Sequence, residues 1–308
     1  MWKDWIRPLL RPSPQWSVVA VAPPQRAVSA SLRWDGRSAD VTADHTVASL
    51  RPLAIATSVD AGRVPVLEYH DAATGKLLGG LQLEKMASIA ATQTSVVLYR
   101  VAAGGHRCLG WPQRSWNAWL QNRAIRKNRS PHGPGIEPAA AQQLMIAYLC
   151  PRPVVLVSVA APAHCNIFPM DLIGPLERSG FFSLALRSTN VSVPVIRELR
   201  RVVLSSVPAA MKAAVYRLGE QHTHPLSGWN ALPFPVRPSR RWGIPAVAAA
   251  LRIRELAIVA DREVGSHTFF LGRIDCDEDL AGGVQLHHTA GFHQAYRRRQ
   301  GTPFAEVA

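Results

Sequence analysis

The sequence of 308 residues has little cysteine, little lysine and no long apolar run. Its four cysteines form no CxxC pair and no metal-finger spacing, which is typical of a reduced, cytoplasmic protein. The most apolar stretches, residues 154–163 and 244–253, fall far short of the ~20 residues that span a bilayer. Residues 1–16 contain no apolar core of signal-peptide length, so we expect a soluble protein without an export signal or a membrane association.

Positive charge comes almost entirely from arginine, because lysine occurs only at positions 3, 76, 85, 127 and 212. The formal net charge is +14, yet the arginines run along the whole chain, whereas a nucleic-acid-binding protein concentrates its charge on one face. We therefore expect attraction of an anionic dinucleotide or flavin phosphate and regard nucleic acid as an unlikely partner. A hydrophobic content of 47% against 18% charged residues is that of a globular protein.

The sequence predicts a mainly β fold with minor α. It divides into three regions that differ in their pattern of apolar and polar residues. Residues 1–110 form a β-rich region of short apolar runs separated by turn signals, whose role the sequence does not define. Residues 111–149 read as a helical connector interrupted by proline and glycine. Residues 150–308 return to strand-like runs with one short helix, which favours a barrel.

The connector carries tryptophans and basic residues at helical spacing. Trp116, Trp119 and Leu120 would form an apolar stripe, with Arg123, Arg126, Lys127 and Arg129 on the polar side. One hypothesis is a helix that binds RNA or a partner protein through this face. The favoured interpretation is a helix packed through its tryptophans, with a solvated basic face.

An anion site is predicted in the loop between residues 186 and 194. Ser192 is a candidate helix N-cap with Pro194 in the first turn, and free backbone N–H groups at a helix start attract phosphate. Arg187, Ser188 and Thr189 lie directly before it. The alternative is that these hydroxyl residues only cap the helix and shape the turn.

Four successive motifs resemble those of the flavin reductase-like family. They are PRPVVLVSV (151–159), NIFPMDLIGPL (166–176), LALRSTNVSVPVIRELRRVVLSSVP (184–208) and GSHTFFLGRI (265–274). The resemblance covers about residues 150–290 and is carried by the order and spacing of the set. It implies an FMN-binding split β-barrel, usually a homodimer, in which NADH or NADPH reduces the flavin by hydride transfer.

The resemblance also implies which residues contact the cofactor. Those along the isoalloxazine and ribityl chain would be Phe168, Pro169, Met170, Asp171 and Leu172. Those around the phosphate would be Leu186, Arg187, Ser188, Thr189, Asn190 and Ser192. His267 would position the flavin and nicotinamide without obligatory proton transfer; a strand-end histidine bonded to backbone is the alternative.

Two departures from the family pattern concern the second motif. Phe168 is bulkier than expected, and Asp171 places a carboxylate near a flavin carbonyl, where it would repel unless it faces elsewhere. Asp171 could instead bind the ribityl hydroxyls or the flavin N3–H.

Other cofactor motifs are weak or absent. His222 with His224, and His287 with His288 and His293, are weak candidates for metal ligands, and we predict no metal. The Gly-Gly pairs at 104–105 and 282–283 lack the spacing of nucleotide-binding loops.

The functional prediction is an NAD(P)H-dependent flavin oxidoreductase, with a partner monooxygenase as one possible recipient of reduced flavin. The first alternative is a flavin-binding protein without turnover, whose N-terminal half is an interaction module. A basic scaffold that binds nucleic acid through residues 116–129 is the third hypothesis; it requires binding that weakens steeply with salt.

Overall fold

A computed structural model describes residues 18–23, 27–91, 94–127 and 138–307, and it is mainly β, as predicted. Its twenty strands are β1 (Val18–Ala22), β2 (Val28–Trp34), β3 (Arg37–Asp40), β4 (His45–Leu50), β5 (Leu53–Thr57), β6 (Val66–Asp71), β7 (Leu77–Ala91), β8 (Thr94–His106), β9 (Arg152–Pro153), β10 (Val155–Ala161), β11 (His164–Met170), β12 (Ile173–Leu176), β13 (Phe181–Arg187), β14 (Arg201–Ser206), β15 (Val236–Pro238), β16 (Pro245–Val247), β17 (Arg252–Val264), β18 (His267–Asp279), β19 (His287–Ala290) and β20 (Ala305–Glu306). The α-helices are α1 (Trp111–Lys127), α2 (Pro138–Ala147), α3 (Val193–Leu199), α4 (Lys212–Arg217) and α5 (Gly291–Arg299).

The first large sheet, called the N-terminal sheet, contains seven antiparallel strands in the order β3-β2-β6-β7-β8-β5-β4. Alternation of buried and partly exposed side chains is clear in β2 and β6, as expected for strands with one face on a core. A tight turn at Asp35–Gly36, where both residues have positive φ, joins β2 to β3.

The second large sheet, called the C-terminal sheet, has the order β11-β10-β14-β17-β18-β13-β12 and is also antiparallel throughout. It curls into a half-barrel around its own apolar cluster, which includes Phe168, Leu184 and Phe270. Helix α3 adds Val193 and Ile196 to this cluster, so the short helix predicted between two strands packs inside the curl.

The two sheets repeat one topology. When the strands of each sheet are counted from one to seven along the chain, both read 2-1-5-6-7-4-3. They differ in their connections: residues 188–200, with α3, follow the fourth strand of the C-terminal sheet, whereas residues 58–65 follow the fourth strand of the N-terminal sheet. The sequence had left this N-terminal region without a defined role.

An apolar cluster joins the two sheets. Val47 and Leu53 of the N-terminal sheet belong to the same cluster as Ala185 and Phe269 of the C-terminal sheet. Helix α2 contributes Ile146 to it. Burial of such a continuous surface, at roughly 25 cal/mol per Å² of apolar area, holds the two sheets against each other.

Several strands and the connector differ in detail from the sequence prediction. Strand β1, expected within the N-terminal β region, pairs with β19 and β20 from the end of the chain. Strands β3 and β4 were not predicted. Of the predicted tryptophan stripe, Leu120 is buried, but Trp116 and Trp119 are each 47% exposed and stack on one another. The proline- and glycine-rich break and Arg129 lie outside the described residues.

Among the described residues, none of the helices has the length and apolar character that crossing a membrane requires.

Candidate functional site

A cavity of about 320 Å³ opens where the two large sheets meet, and its volume lies within the range of small-ligand sites. Its walls combine apolar, basic and acidic side chains. They are Leu50, Pro169, Met170, Asp171, Leu172, Ala185, Arg187, Gly219, His222, Thr223 and His267. Six of these were predicted as cofactor or catalytic residues, which the sequence places in three separate motifs.

The end of β11 and the start of β12 form one wall. Pro169, Met170, Asp171 and Leu172 line the cavity, as their prediction as flavin contacts requires. Phe168, predicted with them, is fully buried in the core of the half-barrel. Side chains alternate along a strand, so Phe168 faces away from Pro169 and shares with Met170 the face that packs into the half-barrel core.

Asp171 lines the cavity, and its carboxylate also forms two hydrogen bonds with other side chains of the protein. The Tyr148 hydroxyl donates to Oδ2 over 2.8 Å, and Nδ1 of His288 lies 2.7 Å from the same oxygen. Burial by itself raises the pKa of Asp171, but these bonds and nearby Arg152 outweigh it, so the pKa is lowered. Asp171 is therefore a carboxylate, and its charge is already partly compensated within the protein.

The loop after β13 carries the predicted anion site. Arg187, Ser188 and Thr189 are exposed, and Arg187 lines the cavity. In the described part of the chain, no carboxylate forms an ion pair with Arg187, so its guanidinium is available for an anion. Ser188 Oγ lies 3.3 Å from the Thr268 hydroxyl, which fixes the loop against β18.

The remaining predicted phosphate contacts are placed differently. Ser192 is at the N-cap position of α3, but it is fully buried and its side chain makes no capping bond. Its hydroxyl accepts from Asn166 Nδ2 over 2.9 Å, and Asn190 Oδ1 accepts the backbone N–H of Ser192. Leu186 lies in the half-barrel core, on the opposite strand face from Arg187.

His267 lies at the start of β18, next to Arg187 on β13. It is 3% exposed, and burial together with the Arg187 charge lowers its pKa to about 4. The backbone N–H of Leu50 donates to Nδ1, and the Ser266 hydroxyl is 2.9 Å from the same nitrogen. With Nδ1 accepting, the neutral ring carries its proton on Nε2.

Five cavity residues were not predicted as parts of this site, among them His222 and Leu50. His222, in the 3₁₀ helix Leu218–His222, was considered only as a metal ligand; its Nδ1 lies 2.9 Å from Asn190 Nδ2, and burial lowers its pKa. Leu50 comes from β4 of the N-terminal sheet. A loop histidine far along the chain from its partners, and a leucine in another sheet, give no local sequence signal.

The other histidines considered as metal ligands serve separate contacts. His288 contacts Asp171 and Tyr216, His287 lies 3.0 Å from the Gln285 carbonyl oxygen, and His293 lies 3.2 Å from the Thr289 hydroxyl. Among the residues that the structure describes, no group of three or more His, Cys, Asp or Glu side chains could hold a metal ion.

A larger cavity of about 540 Å³ lies elsewhere on the C-terminal sheet, lined in part by Arg252, Arg254 and Asp277. Both arginines are paired with that aspartate. Because its cations are already neutralised and none of the predicted site residues lines it, the smaller cavity is the better candidate.

Comparison with known proteins gives no sequence match: no family model and no curated protein matches the chain. Similar solved structures include flavin reductases and FMN-binding proteins. The NADH:FAD oxidoreductase SgcE6 of Streptomyces globisporus C-1027 is 18% identical, with 49% of this chain and 89% of that chain covered and a TM-score of 0.44.

Two further similar structures have comparable values. An FMN-binding protein of Thermus thermophilus is 21% identical over 42% of this chain and 72% of its own, with a TM-score of 0.37. The styrene monooxygenase flavin reductase of Pseudomonas putida S12 is 13% identical over 48% and 93%, with a TM-score of 0.40.

Proposed function

We propose that this protein binds FMN in the cavity between the two sheets and is an NAD(P)H-dependent flavin oxidoreductase. The observation that carries the proposal is the meeting, in one cavity, of residues from three motifs that resemble those of flavin reductases. Arg187, Asp171 and His267 come from separate parts of the chain and line the same space.

The residues present fit a flat ring with an anionic tail. Met170, Leu172, Ala185 and Leu50 supply apolar walls for a ring system. Arg187 would hold the phosphate, with the exposed Ser188 and Thr189 beside it. The lowered pKa of Asp171 keeps a carboxylate available to accept hydrogen bonds from hydroxyl or N–H groups of the ligand.

A bound flavin supplies the hydride-accepting chemistry, so the protein needs no acid–base triad. The task of the chain is to hold donor and acceptor rings in contact and to exclude water. His267, neutral because its pKa is about 4, would offer its Nε2–H as a hydrogen-bond donor at the cavity wall. That is a positioning role, the one that the resemblance implies.

The recipient of the reduced flavin is the finer part of the proposal. The Pseudomonas protein named above serves a styrene monooxygenase, and by analogy a partner monooxygenase is one candidate. The competing function is a flavin-binding protein without turnover. It predicts a bound flavin that neither nicotinamide nucleotide reduces.

The first test is an absorbance spectrum of the purified protein loaded with FMN, recorded anaerobically before and after NADH and then NADPH. We expect the flavin band to bleach with at least one nucleotide, because hydride transfer reduces the ring. A band that persists with both supports the non-catalytic binder. Failure to bind either FMN or FAD contradicts the proposal altogether.

The phosphate assignment has its own test. Arg187→Gln should weaken FMN binding about tenfold to a hundredfold, because a charge-assisted hydrogen bond contributes roughly 1.5–3 kcal/mol. Riboflavin, which lacks the phosphate, is the matched control ligand, and its affinity should stay unchanged. Equal loss for both ligands would show that Arg187 shapes the cavity instead of binding phosphate.

A further inference from the structure

The repeated topology has a defined residue equivalence. Leu184 of the C-terminal sheet lies opposite Phe270, the fourth residue of the seventh strand, and pairs with Ile173 on its other side. Thr57 of the N-terminal sheet lies opposite Val97, again the fourth residue of the seventh strand, and pairs with His45. Strand order agrees throughout, and register agrees at these positions, so the two sheets are treated as copies of one unit; a β-bulge in β4 between Val47 and Ser49 has no counterpart in β12.

The copies face each other in an approximately two-fold manner. Strands β4 and β12 are equivalent third strands and contact one another across the junction. Gly174 lies against Thr46, and counting from Ile173 and His45 makes these two positions equivalent. A surface that meets its own equivalent is the mark of a two-fold interface.

Each sheet also donates a backbone hydrogen bond to the other. From the N-terminal sheet, the backbone N–H of Leu50 donates to His267 at the cavity. From the C-terminal sheet, the backbone N–H of Arg178 donates to Asp44 Oδ1 over 3.2 Å. Both donors lie near the end of the third strand of their sheet: a β-bulge between Val47 and Ser49 puts Leu50 in register with Glu177, the neighbour of Arg178. Each sheet thus contributes a backbone donor to the other.

We call the region around the third and fourth strands of each sheet its corner. The two corners differ in the side chains that line them. In the C-terminal sheet, Leu172 and Ala185 line the cavity. Their equivalents are Asp44 and Ser58, which bind each other directly: Ser58 donates to Asp44 from its hydroxyl over 2.8 Å and from its N–H over 3.2 Å. Thr57 Oγ1 donates to the same carboxylate.

The charge is also reversed at the position of the phosphate arginine. Counting from Leu184 and Thr57, the position of Arg187 corresponds to Asp60, which follows the end of β5 and pairs with Lys85 over 2.6 Å. Together with Asp44, this places two carboxylates at the N-terminal corner. A phosphate would meet like charge there, which disfavours binding.

We propose that the two sheets of one chain together form a single flavin site. The N-terminal sheet supplies the wall around Leu50 within the same chain, and its own corner, with Asp44, Ser58 and Asp60, does not bind flavin. This inference rests on the proposed function. It assigns the N-terminal half a role as part of the flavin site, and it means that the predicted homodimer is not needed to complete the site.

The stoichiometry of FMN binding to the full chain tests the single site. Titration of a known concentration of protein, followed by flavin absorbance and fluorescence, should saturate at one FMN per chain. Saturation at two FMN per chain overturns the inference while leaving the proposed function intact. No binding of FMN or FAD overturns the proposed function, and this inference falls with it.

A pair of variants, one in each sheet at the junction, tests the wall. Leu50→Trp should weaken FMN binding about tenfold or more by filling the cavity, whereas Arg178→Trp, at the exposed residue whose backbone N–H contacts Asp44, should leave it unchanged. Leu50→Met should retain binding, and circular dichroism should confirm that each variant is folded. Equal effects of the two tryptophans, or no effect of Leu50→Trp, contradict the inference.

Mixing two defective chains separates completion in cis from completion by a second copy. Leu50→Trp and Arg187→Gln damage opposite walls of the same site. If a second copy supplied the wall, mixed oligomers would regain sites with both walls intact, so FMN binding would recover. We expect no recovery, and recovery would overturn the cis assignment.

Discussion

The N-terminal and C-terminal sheets share strand order and register, yet their equivalent corners carry side chains of opposite charge. The C-terminal copy has a long connection containing α3 after its fourth strand, and its corner is lined by Leu172, Ala185 and Arg187. In the N-terminal copy, Asp44, Ser58 and Asp60 stand at the equivalent positions. The topology is the same in both sheets, so the difference between the two corners lies in a few side chains.

The largest loss of stability is expected from a substitution at the junction between the two sheets. Gly265 has a φ of +57°, and a Cβ there would overlap the Arg51 carbonyl oxygen and the Pro52 ring. We expect Gly265→Ala to lower the free energy of unfolding by about 4 kcal/mol or more, because it adds a backbone clash to the strain of a positive φ.

The matched control for this change is Gly36→Ala. Gly36 also has a positive φ, +73°, but apart from its chain neighbours no atom lies within 4 Å of the position that an alanine Cβ would occupy. Its cost should be only the backbone strain, roughly 1 kcal/mol. Urea unfolding of both variants measures the difference; equal losses would show that the contact with Arg51 contributes nothing to the junction.

Acid should weaken both copies in part through a buried histidine, His45 in one and His267 in the other. Burial, aided by a nearby arginine, lowers the pKa of His45 in the N-terminal sheet and of His267 in the C-terminal sheet to about 4. Between that value and 6.5, the unfolded chain binds more protons than the folded chain, so stability is fully present above about pH 6.5 and falls as the pH drops towards 4.

Replacement of either histidine by glutamine sharpens this comparison. Each variant should remove roughly one proton from the pH slope of the unfolding free energy, equivalent to on the order of 3 kcal/mol across the full range. Urea unfolding at a series of pH values measures the slope. A slope that changes for one variant only would mean that the other histidine does not titrate as its burial implies.

The smallest effect is expected at the position equivalent to Arg187. Asp60→Asn breaks the ion pair with Lys85. Both side chains of this pair are partly exposed, so the loss of stability should be less than about 1 kcal/mol. FMN affinity should not change. A loss of FMN affinity in this variant would show that the N-terminal corner takes part in binding after all.

Much of the site was accessible to sequence reasoning because its motifs are local. Pro169 to Leu172, Arg187 and His267 were predicted and line one cavity. Phe168 and Leu186 were predicted with them but lie in the core of the half-barrel, where alternation turns Phe168 away from Pro169 and Leu186 away from Arg187. Ser192 was predicted at the start of α3 and is there, but its hydroxyl is used by Asn166.

The sequence by itself determined the mainly β character, the short helix α3 and the residue types needed to bind a flavin phosphate, because these depend on local patterns. Only the tertiary structure decided that the N-terminal region repeats the C-terminal sheet and that Leu50 and His222 reach the cavity. Strand order in an antiparallel sheet depends on contacts between distant segments. Two sheets with different side chains can therefore share a strand order without a sequence similarity that would reveal the repeat.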